Sequence, residues 1–544
     1  MGPAAQRRRK DLGAFYTGEV AVDFLVRWGL ARVTGTVMDP ACGDGRFLRA
    51  AARHGAVRLV GCDVDASALR ATAQGLSGVT PAVELLQDDF FAIPPDAAHR
   101  ADLIVGNPPF IRYQKFPEQS RRRALESALR LGVRLTRLTS TWAPFLLHAA
   151  QFLRPGGAMA VVVPAEIAQT NYGVPTLQAL CRRFATVRLL AFARNFFPEA
   201  QTETYLLLAD GYGAQPTASV QLFPMSGVED LAAWESGGSG AVAGTRVELS
   251  SASRFSFAKA FLTPDEIDTW HRVAALDEIR QLTDLGVIAN GYVSGANDFF
   301  HCCYADAVRL GLPVAWLLPT AKNANSLRGL EFTAQDVREL EDQAHPHHLI
   351  SPPADDLFNL RRSELHKLVA DGEALGIHTR FKCRTRTPWW RVPGIHVPDV
   401  FLPYMIGRAP TSSVNLARAT YSNTLHGLRL HEGYDPRGVA LGLHSTLSLL
   451  SMELEGRSYG GGVLKLEPSE VNRVQLVLPR TRRLPFKRID ALLRHGRYSA
   501  AVAAVDEVIL RGNLGLDDGT IARLRSARAR LVDRRCSRGR GKGN

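Results

Sequence analysis

Residues 102–113 read DLIVGNPPFIRY, an apolar run that ends in an amide, two prolines and an aromatic ring at Asn107, Pro108, Pro109 and Phe110. Proline fixes its own backbone and pushes the residue before it into extended geometry, so Asn107 and Pro108 are both stiffened. Neither proline has an N–H to offer, which leaves the Asn107 side-chain oxygen and the Pro108 carbonyl as converging acceptors. Two acceptors suit an amino group on an aromatic ring. Such an amine is a poor nucleophile because its lone pair is conjugated. Holding both of its hydrogens favours the pyramidal form, whose lone pair can attack an electrophilic carbon. Phe110 would stack on the same ring. Taken singly, Asn-Pro is also a common turn opener, so the motif needs company before it means chemistry.

That company lies upstream. In VMDPACGDGRFL (37–48), Gly43 and Gly45 fall at a tight strand-to-helix turn where backbone must come close to a ligand. Asp39 and Asp44 flank the turn, an arrangement that repels a pyrophosphate and suits a cationic amino group. About 20 residues on, Asp63 ends the next strand in VGCDVDASAL, placed to accept ribose hydroxyls. Asp89 ends a third strand in LLQDDFF, with Phe90 beside it to lie against an adenine ring. Each acid alone reads as a helix cap or turn residue. In register with the glycine loop they describe a ribosyl-adenine carrying an amino acid, S-adenosylmethionine, whose sulfonium methyl is the electrophile the amine requires.

All of these residues must be brought to one sheet edge. From about residue 35 to 210, seven apolar runs alternate with helical patterns: GTVMD, VRLVGCD, VELLQDD, ADLIVGN, AMAVVVP, TVRLLAF and ETYLLLAD. The pattern predicts an α/β, Rossmann-like domain with a seven-stranded, mostly parallel sheet. Composition shifts after Asp210, and the Gly-rich stretch around Gly237, Gly238 and Gly240 reads as a linker. The expected domains are residues 1–245, and 246–544 as a mixed α/β region ending in basic helices.

At these motifs the chain resembles the class I S-adenosylmethionine-dependent amino-methyltransferases, and specifically the gamma-ordered (TaqI-like) adenine-N6 DNA methyltransferases of restriction-modification systems. GAFYTGEVAVDFLV (13–26) resembles the family's N-terminal motif, followed in order by DPACGDGRF, GCDVD, DDFF and GNPPF. FLRPGGAMAVVVPAEIAQTNYG (152–173) and NFFPEAQTETYLLL (195–208) continue the likeness. The resemblance implies that Tyr16, Thr17, Asp39, Ala41 and Gly43 surround the methionine part of the cofactor. It implies that Asp63 holds the ribose, that Asp89 and Phe90 hold the adenine, and that Asn107, Pro108, Pro109 and Phe110 act on a flipped adenine with Phe197 on its other side. Two positions depart from the pattern: Thr17-Gly18 replaces a frequent Thr-Pro, and Phe110 replaces a frequent Tyr, so stacking remains without a phenol hydrogen bond.

Further on, RFKCRTRTPWWRVPGIHVPDVFLPY (380–404) sets Arg380, Lys382, Arg384, Arg386 and Arg391 around Trp389 and Trp390 with no acid between them. That composition suits phosphate contacts combined with base stacking or wedging. The competing reading is a solvated basic face over buried tryptophans. With GVIANGYVSGANDFFH (286–301), the stretch resembles, more loosely, the target-recognition regions of larger members of the class.

Composition bounds the rest. A chain of 544 residues that is 46% hydrophobic needs no staple, and its formal charge of +13 favours a polyanionic partner, which the resemblance implies is double-stranded DNA. Seven scattered cysteines without a C-x-x-C pair suggest neither disulfides nor a metal site and fit a cytoplasmic protein. An uninterrupted apolar stretch of about 18 residues is absent, so no membrane span is expected. We expect a monomer, with any cognate restriction endonuclease encoded separately. The alternatives are an amino-methyltransferase of RNA or of a protein glutamine, a cytosine-N4 enzyme, a catalytically inactive DNA-binding subunit, and a fused methyltransferase-endonuclease. For the last, PPADDLFNLRRSELHK (352–367) comes nearest to a nuclease carboxylate cluster, and its spacing reads better as a surface helix.

Overall fold

The computed structural model describes residues 17–111, 113–168, 170–192, 204–237, 244–249, 257–352, 363–459, 462–480 and 484–537. The chain divides into two compact units, one made chiefly of Met1–Phe261 and the other of Leu262–Ser458 and Gly462–Cys536.

Nine strands form the sheet of the first unit: β1 Thr36–Asp39, β2 Arg58–Cys62, β3 Ala82–Leu86, β4 Ala101–Gly106, β5 Leu153–Pro164, β6 Phe184–Phe192, β7 Thr204–Tyr212, β8 Ser219–Met225 and β9 Thr245–Glu248. Their order is β3-β2-β1-β4-β5-β7-β6-β8-β9. From β3 to β5 every pairing is parallel, and β7 runs antiparallel between β5 and β6. The seven runs read from sequence all become strands, but the count of seven is corrected to nine. β8 pairs in parallel with β6, and β9 closes the edge antiparallel to β8. Both follow the last strong apolar run, and β9 lies just past the Gly-rich stretch, where periodicity gives little signal.

Helices cover both faces of this sheet. Leu103 and Val105 of β4 enter one core, where Phe24 and Trp28 of α1 (Glu19–Leu30), Phe47 of α2 (Arg46–Arg53) and Leu69 of α3 (Ala66–Gly75) pack. Ile104 enters the other, with Ala124 of α4 (Glu118–Arg130) and Phe145 of α5 (Trp142–Ala150). Burial on both faces is why the central strands β1, β4 and β5 read as continuous apolar runs and not as alternation. Because β3, β2, β1 and β4 are parallel neighbours, their carboxyl ends share one edge, the edge at which open α/β sheets bind ligands.

The second unit is mixed α/β. Its largest sheet joins Gly286–Asn290, Leu425–Leu430, Val400–Pro403, Ser413–Asn415 and Glu331–Phe332, and the chain ends in helices Phe486–Arg494, Tyr498–Asp506 and Asp518–Ser537. Ser363–Ala374 is a helix carrying Glu364 and Lys367, while residues 353–362 of the candidate carboxylate cluster lie outside the described residues. Among the described residues, no helix is long and apolar enough to cross a membrane.

Candidate active site at the sheet edge

Strand β1 ends on Asp39, which is 1% exposed. Its Oδ1 accepts the Ala41 N–H at 3.2 Å, and its buried Oδ2 has no partner. Burial pushes the Asp39 carboxyl up to about 8; the Ala41 N–H opposes this and the charges of Asp63 and Asp44 add to it. In the following turn Gly43 and Gly45 take left-handed φ values of 52° and 77°, which favour glycine. Gly43 and Asp65 donate backbone N–H bonds to Asp63 at 2.9 and 2.8 Å, which orients that half-buried carboxylate at the sheet edge.

The glycine loop meets the Asn-Pro-Pro turn at Gly106. Its φ is +145°, and a Cβ there would lie 2.6 Å from Asp39 Oδ1. Glycine therefore lets the buried carboxyl abut the turn, so that Asp39, Pro40 and Ala41 line one small space with Gly106, Asn107 and Pro108, closed on its inner side by Phe145, Leu146 and Val161. Phe110 is half-buried against both cores of the unit.

A residue that the sequence reading passed over fixes this loop from behind. Thr141 is 2% exposed, and its hydroxyl donates to the Pro109 carbonyl while accepting the Ile111 N–H at 2.9 Å. The Thr141 N–H donates in turn to the Ile111 carbonyl at 3.1 Å. Thr141 occupies the N-cap position of α5 without making a side-chain cap bond, because its hydroxyl is committed to the loop. In sequence it is indistinguishable from an ordinary cap.

The remaining expected residues fall out unevenly. Asp89 caps the turn Phe90–Ala92 through the Phe91 N–H and accepts the Ser120 hydroxyl at 2.7 Å. Phe90 beside it is buried, and its ring packs among Phe145, His148 and Phe152 at centroid distances of 4.9, 4.7 and 5.0 Å. Thr17 is buried with its hydroxyl unpartnered, and Arg46 holds the Thr17 carbonyl. Tyr16 and Phe197 lie outside the described residues.

In the second unit the basic stretch is reordered by burial. Trp390 is buried beside Trp316 and Leu365, and Trp389 is half-buried against Phe299 and Phe300. Trp390 thus anchors the fold, while Trp389 keeps part of its surface exposed. Arg386 turns inward onto the Val293 carbonyl, and Asp298 holds Arg380 by two bonds at 2.6 and 2.8 Å. Lys382, Arg384 and Arg391 remain exposed.

The first unit fits a bound S-adenosylmethionine. A buried carboxylate oxygen and a buried hydroxyl, Asp39 Oδ2 and Thr17 Oγ1, lack protein partners, and a cationic amino group is the complement the first demands. Residues 1–294 match the family described as N-6 DNA methylase, and residues 255–510 match that described as type II methyltransferase M.Eco57I, C-terminal domain. The type II methyltransferase M.XamI of Xanthomonas campestris pv. amaranthicola is 25% identical over 489 residues, covering 86% of each chain. M.AccI of Acinetobacter calcoaceticus is 22% identical over 480 residues, covering 86% of this chain and 85% of its own. M.TthHB8I of Thermus thermophilus is 29% identical over 249 residues, 43% of this chain and 49% of its own. Since the first match spans more than half of its 544 residues, the chain belongs to the N-6 DNA methylase family.

Proposed function

We propose that the protein is a site-specific DNA methyltransferase of a restriction-modification system, acting on the N6 amino group of an adenine swung out of duplex DNA. The observation that carries this reading is the shared edge at which Asp39 ends β1 with a buried, unpartnered carboxyl oxygen and Gly106, Asn107 and Pro108 follow β4, its parallel neighbour. S-adenosylmethionine supplies the methyl group on a sulfonium. Asp39, with Ala41 and Gly43, receives the donor's charged amino group, Tyr16 and Thr17 border its methionine part, Asp63 takes the ribose hydroxyls, and Asp89 takes the adenine edge. Asn107 and the Pro108 carbonyl accept both hydrogens of the target amine and free its lone pair, Pro109 stiffens the turn, and Phe110 and Phe197 stack on the target base.

The motif order supports the gamma, TaqI-like subclass. We read the second unit as the target-recognition region, with Arg380, Lys382, Arg384 and Arg391 toward phosphates. In this reading the protein is cytoplasmic and monomeric, and its cognate nuclease is a separate chain. Incubation of the purified protein with methyl-labelled S-adenosylmethionine and double-stranded DNA is expected to yield N6-methyl-2′-deoxyadenosine. Label found only in RNA or protein refutes the DNA assignment.

The role given to Thr141 has its own test. Thr141→Val keeps the shape of the side chain but removes both loop bonds, and a small misplacement of the acceptors is expected to lower kcat about 10- to 100-fold. Cofactor affinity should be unchanged, and Thr141→Ser, which keeps the hydroxyl, should restore most of the rate. Equal kcat in the Val and wild-type enzymes means that the clamp is only structural.

A further inference from the structure

Among the described residues, Phe381 is the one phenylalanine whose side chain is exposed, at 64%. Its surroundings fix it in that position. Two residues on, Cys383 is fully buried and its N–H bonds to the Arg380 carbonyl at 2.9 Å. On the other side Asp298 holds Arg380 by two bonds, and Gly295 lies directly beneath Lys382 and Cys383. With both flanks fixed, the ring projects outward. Lys382 Nζ and Arg384 Cζ lie 5.6 and 5.4 Å from its centroid, within cation–π range. Residues 380–398 contain no Asp or Glu. What sets this ring apart from other exposed apolar side chains is that two cations lie against it in a stretch without an acid. The arrangement matches a polymer in which anionic phosphates alternate with flat apolar faces.

Resting on the reading of the protein as a DNA methyltransferase, we infer that Phe381 is a base-stacking side chain of the second unit. Its ring wedges against a base at a step of the duplex that binding partly unstacks, while Lys382 and Arg384 leave the ring for the flanking phosphates. Phe381 thus takes the part that composition assigns to Trp389 and Trp390.

The test uses the full-length protein and a fluorescein-labelled duplex carrying the sequence that the wild type methylates, with affinity measured across a salt series. Loss of one stacked base is expected to make Phe381→Ala bind about tenfold more weakly at every salt concentration, with the salt slope unchanged. Phe381→Trp should bind like wild type. Replacing both Lys382 and Arg384 by Ala should instead flatten the slope by about 2. Unchanged cofactor affinity and thermal midpoint show that the variants are folded. Wild-type DNA affinity in Phe381→Ala overturns the inference, and so does loss of an oligomer without loss of DNA affinity, which assigns the ring to a second copy of the chain. A wild-type protein that neither binds the duplex nor transfers methyl overturns the methyltransferase reading itself.

Discussion

Asn107→Ala is expected to lower kcat for methyl transfer by at least about 10²–10³-fold, the range found when one preorganised polar group is removed from a reacting centre. Cofactor affinity should stay within a few fold. The contrast follows from where Asn107 stands. It directly follows β4 and is joined through Gly106 to the turn that abuts Asp39, and in the proposed function its side chain takes the incoming amine while Asp39 takes the donor. With one acceptor gone, the Pro108 carbonyl alone cannot hold both hydrogens, and the lone pair stays conjugated with the ring. Single-turnover kinetics with equilibrium dialysis separate the two roles. If the variant loses cofactor binding as well, Asn107 is part of the donor site and its assignment is wrong.

The first unit was legible because chemistry and architecture coincide in its sequence. Each strand buried on both faces leaves a continuous apolar run, and the polar residue that closes such a run falls at the carboxyl edge of the sheet, where Asp39, Asp63 and Asn107 stand. What escaped notice depends on adjacency across the sheet or on distant chain segments. Gly106 matters because β4 lies beside β1, and Thr141 because α5 begins where the loop 30 residues earlier passes. Phe90 and Phe91 are neighbours of identical type, and only packing shows that both are buried. The second unit was less legible, since its strands are two to six residues long and spread over several small sheets, too short for periodicity to register. Composition there favoured the tryptophans as exposed rings, whereas Trp390 and Cys383 hold the stretch in place and leave Phe381 outside.

Asp39→Asn is expected to abolish cofactor binding and yet stabilise the cofactor-free protein. Burial raises the Asp39 carboxyl from its ordinary value of 3.8 to about 8, so near neutrality the folded state must take up a proton that the unfolded state does not hold. Its favourable contribution is complete below the ordinary carboxyl value and is lost as pH rises toward 8. At pH 7, about three pH units above that value at about 1.4 kcal/mol each, the loss amounts to about 4 kcal/mol. Asparagine has nearly the same shape and no proton to lose, so the variant's thermal midpoint should match wild type near pH 4 and exceed it increasingly toward pH 8. For the wild type the same carboxyl must ionise to receive a cationic amino group, so donor affinity should tighten from pH 6 to about 7.5, where an α-amino group begins to lose its own charge. Donor binding should correspondingly release protons, measurable by calorimetry in buffers of different ionisation enthalpy. A variant that is less stable than wild type at pH 8, or that keeps wild-type donor affinity, would show that Asp39 serves the fold and not the ligand. The opposite signs of the two effects are the signature of a group held in an unfavourable state for the sake of what it binds.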